Sequence, residues 1–145
     1  MNIKRIKDTR IDNDFTQEYI ANRLKVPQRT YSSWENEEVK ISLENVIKIC
    51  RSLNISIDYA VGLSNSPKRN FDVTKLYLKV IAYNILKIRE LKNLSQKELA
   101  IILDYSKSML SGIEHGKVTI SLEKLYLLAK KYDYSIDELC YRKIN

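Results

Sequence analysis

The stretch TQEYIANRLKVPQRTYSSWEN runs from Thr16 to Asn36. Thr16 is a residue type that caps helix N-termini, and Ile20, Ala21 and Leu24 follow at the spacing of one apolar helix face. Lys25, Val26 and Pro27 interrupt that pattern. Proline is tolerated at a helix start because the N–H it lacks would go unbonded there anyway, so a second short helix begins near Gln28, with Trp34 on its core side. The stretch reads as two short helices joined by a three-residue turn, a helix-turn-helix.

The same pattern returns as SQKELAIILDYSKSMLSGIEH, Ser95 to His115. Shifting the sequence by 79 positions aligns residues 3–63 with 82–142 without a gap. Ile6/Ile85, Arg10/Arg89, Gln17/Gln96, Ala21/Ala100, Leu24/Leu103, Ser32/Ser111, Glu35/Glu114 and Val39/Val118 then coincide, as do the ISLE runs at Ile41 and Ile120 and the SID runs ending at Asp58 and Asp137. A duplication of about 60 residues is the simplest account, and two copies make two domains, since a solenoid needs at least three units.

Each copy reads as five helices. Ser95 with Glu98, and Ser135 with Glu138, have capping-box spacing; Thr16 and Ser56 take the same N-cap positions in copy 1. Ser42 and Ser121 cap the fourth helices, with Glu44 and Glu123 in their first turns, where the helix dipole favours an acid. Only three Gly and two Pro are present, too few for the turns of an all-β fold. The expected architecture is all-α: a first domain over 1–63, a linker over 64–73 opening with SNSPKRN, and a second domain over 74–145. The first helix of the second domain is extended over Thr74–Leu91.

The net charge is +7 with a pI near 9.3, which suits either a polyanionic partner or simple solubility. No apolar run approaches 18 residues and the N-terminus lacks a signal-peptide core, so a cytoplasmic protein with no membrane segment is expected. Cys50 and Cys140 stand alone at apolar helical positions and His115 is the single histidine. Buried thiols are expected, with no metal and no cofactor.

The TQEYIA…LKVPQRTYSSWEN and SQKELA…LDYSKSMLSGIEHGK stretches, with the downstream SLE…SID elements, resemble the lambda-repressor-like (Cro-type, XRE-like) helix-turn-helix family. The resemblance covers nearly the whole chain outside the linker. It implies two tandem five-helix DNA-binding domains whose third helices enter the major groove of double-stranded DNA, a groove that admits one α-helix. Carried over by position, Gln17 and Gln96 resemble the glutamine that grips a phosphate. Gln28 and Arg29 fall where the family contacts bases, and Gln can pair with adenine and Arg with guanine. Ser32 and Ser33 lie further along that helix; Asn36, Lys40 and Lys117 follow the recognition helices as phosphate ligands. In copy 2 the reading positions carry Lys107, Ser108, Ser111 and Gly112.

The copies also differ. Copy 1 has Glu37 where copy 2 has Gly116, so a helix exit that requires positive φ is strained or reshaped there, and Glu37 and Glu38 repel phosphates. Residues 1–63 carry 10 basic and 9 acidic side chains, residues 74–145 carry 13 and 8. Copy 2 is the more apolar: Ile101 and Ile102 replace Asn22 and Arg23, Leu127 replaces Lys48, and Leu78, Tyr83 and Leu86 lie off the stripe of Ile81, Ile85 and Ile88. These residues are expected to form an interface, to copy 1 or to a second chain as a homodimer through domain 2. The leading expectation is a sequence-specific transcriptional regulator of phage-repressor type. The alternative is an antitoxin-like or antirepressor-like protein-interaction module on the same fold. No phosphate loop, metal set or nucleophile–histidine pairing suggests an enzyme.

Overall fold

A computed structural model describes residues 1–145, all helix and connections, divided into unit 1 (Met1–Lys75) and unit 2 (Leu76–Asn145). Unit 1 carries α1 (Lys4–Asp12), α2 (Gln17–Leu24), α3 (Gln28–Glu35), α4 (Leu43–Leu53) and α5 (Ile57–Ala60); unit 2 carries α6 (Leu78–Leu91), α7 (Gln96–Leu103), α8 (Lys107–Glu114), α9 (Leu122–Tyr132) and α10 (Ile136–Tyr141). No helix is long and apolar enough to cross a membrane.

The caps set these boundaries. Thr16, Ser42, Ser56, Ser95, Ser106, Ser121 and Ser135 each accept a backbone N–H from the first turn of the helix they precede. The Ser95–Glu98 box is complete, and the hydrogen bonds from the Ser95 backbone and side chain hold the exposed Glu98 carboxyl below its ordinary range. At Ser135 the forward bond forms, but the Glu138 carboxylate turns to Arg142 at 3.0 Å. Helices α2, α4, α7 and α9 end on left-handed residues, Lys25, Asn54, Asp104 and Asp133, which stops each helix within one residue of the same place in both copies.

The fourth helices form the floor of each core. Leu43, Val46, Ile47, Cys50 and Leu53 are buried along α4, as are Leu122, Leu125, Leu128 and Ala129 along α9. Spacings of three and four residues along each helix line these side chains up on one apolar face. Both cysteines are free and buried.

Two expectations change. The extended helix of copy 2 begins at Leu78; Tyr77 is extended (φ −114°, ψ 93°) and offers no side-chain cap, so residues 74–77 stay outside the helix. Residues 64–73 are not a free tether. Arg5 donates to the carbonyls of Tyr59 and Ser64 and to Asn65 Oδ1, the Ser56 N–H donates to the Pro67 carbonyl at 3.0 Å, and Val73 is buried. The segment is therefore part of unit 1.

Position 84 in copy 2 matches position 5 and does the same work with different chemistry. Asn84 is fully buried; its Nδ2 donates to the Leu139 and Arg142 carbonyls, both at 2.8 Å, and its Oδ1 accepts the Ile144 N–H at 2.9 Å. One amide thus pins the chain end beyond α10, and its loss strands three backbone groups, two of them in buried bonds. Asn84→Ala is expected to destabilise unit 2 by about 2–4 kcal/mol and to expose the last residues to exchange, measured by hydrogen exchange of the Ile144 amide.

Candidate nucleic-acid interface

Each helix-turn-helix is locked from beneath by an ion pair, buried in unit 1 and partly buried in unit 2. In unit 1, Arg10 of α1 grips Glu35 of α3 through two bonds, Nε to Oε2 at 2.8 Å and Nη2 to Oε1 at 2.7 Å. Its Nη1 donates to the Phe15 carbonyl at 2.7 Å, and Gln17 Nε2 donates to Glu35 Oε1 at 3.2 Å. Unit 2 repeats the set: Arg89 Nε to Glu114 Oε1 at 2.7 Å, Arg89 Nη2 to Oε2 at 3.3 Å, Arg89 Nη1 to the Leu94 carbonyl at 3.1 Å, and Gln96 Nε2 to Glu114 Oε2 at 3.0 Å. A planar guanidinium satisfied on both edges fixes α1, the α1–α2 turn and the end of α3 in one arrangement.

The Glu35 side chain is fully enclosed. Burial pushes its carboxyl up, but Arg10, the neighbouring Tyr31 hydroxyl and Gln17 together outweigh this and hold it below the usual carboxylate range. The Tyr31 hydroxyl is the one buried side-chain polar atom without a hydrogen bond. Burial, with the Glu35 carboxylate beside it, drives its ionisation far above the phenol range. Leu110 occupies the same position in unit 2.

Above this lock the first turn of α3 is open. Gln28 and Arg29 are exposed, Pro27 sits at the N-cap with no side-chain bond, and Asn36 and Lys40 are exposed beyond the helix. Ser32 and Ser33 are half-buried: Ser33 Oγ donates to the Thr30 carbonyl at 2.7 Å, and Asn36 Nδ2 donates to Ser32 Oγ at 3.2 Å. In unit 2, Lys107, Ser108 and Lys117 are exposed, while Ser111 is half-buried with its carbonyl facing His115 Nδ1 at 2.7 Å. Gln17 and Gln96 are half-buried at the starts of α2 and α7. A glutamine amide has two N–H donors and a carbonyl; one N–H goes to the buried glutamate and orients the group, leaving the other N–H for an outside acceptor.

The two helix exits share one left-handed backbone although their residues differ. Glu37 takes φ +58° and Gly116 φ +69°. The left-handed region costs a residue with a Cβ about 1–2 kcal/mol, and glycine almost nothing. Glu37→Gly is expected to stabilise unit 1 by about 1 kcal/mol, read from the denaturation midpoint followed by the single tryptophan, Trp34. The added turn of α6 runs beside Gly116, whose Cα would carry a Cβ 3.8 Å from Ala82 Cβ. Of the expected interface residues, Ile101 is 69% and Leu127 41% exposed, while Leu78, Tyr83, Leu86 and Ile102 are half-buried. Tyr83 is covered by the Lys143 ammonium, 4.9 Å from its ring centroid.

A family model described as Helix-turn-helix matches residues 6–59 and again residues 85–139. The chain belongs to the helix-turn-helix family. The two matches each take in one Arg–Glu lock and one exposed helix start. Among similar proteins is the Uncharacterized HTH-type transcriptional regulator YobD of Bacillus subtilis (strain 168), 27% identical over 67 residues, which are 46% of this chain and 60% of that protein. The chain thus spans less than two thirds of that relative's length. Among solved structures, a point mutant of the Restriction-Modification Controller Protein C.Esp1396I is 29% identical, with 41% of this chain and 75% of that chain covered and a TM-score of 0.36.

The Arg–Glu lock escaped the sequence reading although its signal was there: Arg10/Arg89, Gln17/Gln96 and Glu35/Glu114 are all identical between the copies. An Arg–Glu pair and a glutamine kept at the same three places in both copies mark a side-chain network.

Proposed function

We propose that this chain is a sequence-specific DNA-binding transcriptional regulator of the phage-repressor type, a binding protein rather than an enzyme. The observation that carries the reading is the open first turn of α3, Gln28 and Arg29, mounted on a helix that Arg10, Glu35 and Gln17 hold rigid. A fixed helix with exposed amide and guanidinium groups at its N-terminal end suits bidentate contact with adenine and guanine in the major groove. Gln17, Asn36 and Lys40 would hold flanking phosphates, which set register without reading sequence. Unit 2 presents Lys107, Ser108, Ser111, Gln96 and Lys117 in the same layout, with more charge and less base-reading chemistry. A homodimer through the apolar surface of unit 2, with unit 1 as the reader, fits the exposure of Ile101 and Leu127. That same exposure favours the second reading, a protein-interaction module on this fold.

Salt separates the two readings. Binding that neutralises phosphates weakens linearly in log K against log salt, with a slope of about −0.9 per phosphate contact on B-form DNA. With Arg29, Lys40, Lys107 and Lys117 as the cationic contacts of the two units together, affinity for duplex DNA is expected to fall by about a hundredfold between 50 and 200 mM salt. Binding that ignores salt belongs to an apolar protein interface.

A further inference from the structure

In unit 1 a cleft of about 430 Å³ opens where the C-terminal end of α2 meets the second half of α4. Four cations line it, Arg23, Lys25, Lys48 and Arg51, with hydroxyls from Ser52 and Thr74, and no carboxylate lines it. The nearest compensation is an exposed pair, Lys48 Nζ to Glu44 at 3.4 Å, and pairs of that kind contribute little. Arg23 Nη1 donates to the Tyr19 hydroxyl at 3.1 Å. Residues 1–63 are nearly neutral overall, with 10 basic and 9 acidic side chains, yet four of the cations gather here.

A bland account is that cations near helix C-termini answer the helix dipole. The second copy of the fold argues against it. The positions of Arg23, Lys25 and Lys48 carry Ile102, Asp104 and Leu127 in unit 2, with Lys130 and Lys131 at those of Arg51 and Ser52. Helices α2 and α7 nevertheless end alike, on left-handed Lys25 (φ 58°) and Asp104 (φ 54°). The scaffold closes without the cations, so their convergence in unit 1 is not a requirement of folding. A concave site of one sign focuses its field on a counter-ion. Guanidinium forks, ammonium groups and hydroxyls together match phosphate oxygens, and the volume falls in the range of small-molecule sites.

We propose that this cleft is a second binding site, separate from α3, for a small multiply charged anion of the phosphate-ester or polyphosphate class. Its residues come from α2, α4 and the segment through Thr74, two positions before unit 2 begins, so an occupant adds to the contacts that already hold that segment on unit 1.

The test is titration of the full chain with inorganic tripolyphosphate at constant ionic strength, followed by backbone amide NMR shifts. Saturable shifts centred on Arg23–Lys25, Lys48–Ser52 and Thr74 are expected, with affinity at least tenfold above inorganic monophosphate. Arg23→Ile/Lys48→Leu and Lys25→Asp, which write unit 2 residues into unit 1, should each weaken binding at least tenfold, whereas Lys7→Ala on α1 changes nothing. Trp34-detected unfolding verifies that the variants fold. Shifts that never saturate, or affinity unchanged in both variants, would mean an adventitious ion only and overturn the proposal. So would a loss of duplex affinity in these variants equal to that of Gln28→Ala/Arg29→Ala, which assigns the cleft to the DNA backbone.

Discussion

Glu35→Ala is expected to destabilise unit 1 by about 3–5 kcal/mol, the cost of leaving a buried guanidinium without its partner. Arg10 is 11% exposed at its side chain and Glu35 not at all, so little water can reach the orphaned charge. Gln17 loses its acceptor in the same change. Removing both charges is a different perturbation: Arg10→Met/Glu35→Met should recover most of the loss, because an apolar pair of similar volume carries no desolvation penalty. Trp34, the single tryptophan and only 8% exposed, reports unfolding of unit 1. The pH dependence follows from the same carboxyl. Its folded value lies below its ordinary 4.5, so its stabilisation is fully present above about pH 4.5 and is lost as pH falls through the folded value. The stability gap between wild type and Glu35→Gln should therefore close on acidification. A constant gap from pH 7 to pH 3 would contradict the role given to the carboxylate.

The second large effect is on binding. Gln28→Ala/Arg29→Ala removes the two side chains placed to read bases, each bidentate contact being worth about 1–3 kcal/mol. Loss of on the order of a hundredfold or more in affinity for the preferred site is expected, with nonspecific affinity changed by much less. Both residues are exposed on α3, so the Trp34 unfolding midpoint should stay within about 0.5 kcal/mol of wild type. Lys107→Ala/Ser108→Ala should act mainly through charge, lowering affinity about uniformly across sequences and reducing the salt slope by about one. Equal losses of specificity from the two double variants would mean that both units read bases.

The helices were legible because their starts are written locally. A Ser or Thr cap and the apolar spacing behind it lie within a few residues, and the duplication writes each signal twice. The exposed start of α3 was legible for the same reason. What joins distant residues was not. Arg10 and Glu35 are 25 positions apart, and nothing local distinguishes them from surface charges except their identity with Arg89 and Glu114. Asn84 sits among apolar residues and reads as a polar interruption of α6; only the fold brings the α10 exit and Ile144 to its amide. Residues 64–73 have the composition of a linker, yet Arg5 and Ser56 supply the partners that hold them on unit 1. At the α3 exit, the missing glycine did signal strain, and the backbone answers with a left-handed Glu37.

Selection of binding sites from random duplex DNA, run in parallel with the wild-type chain and Gln28→Ala/Arg29→Ala, shows whether α3 reads a base sequence. Wild type is expected to enrich a defined sequence, and the double variant, folded by the Trp34 criterion, to lose the preference at the positions α3 reads. No enrichment by wild type, or the same sequence enriched by the variant, would contradict base reading by α3.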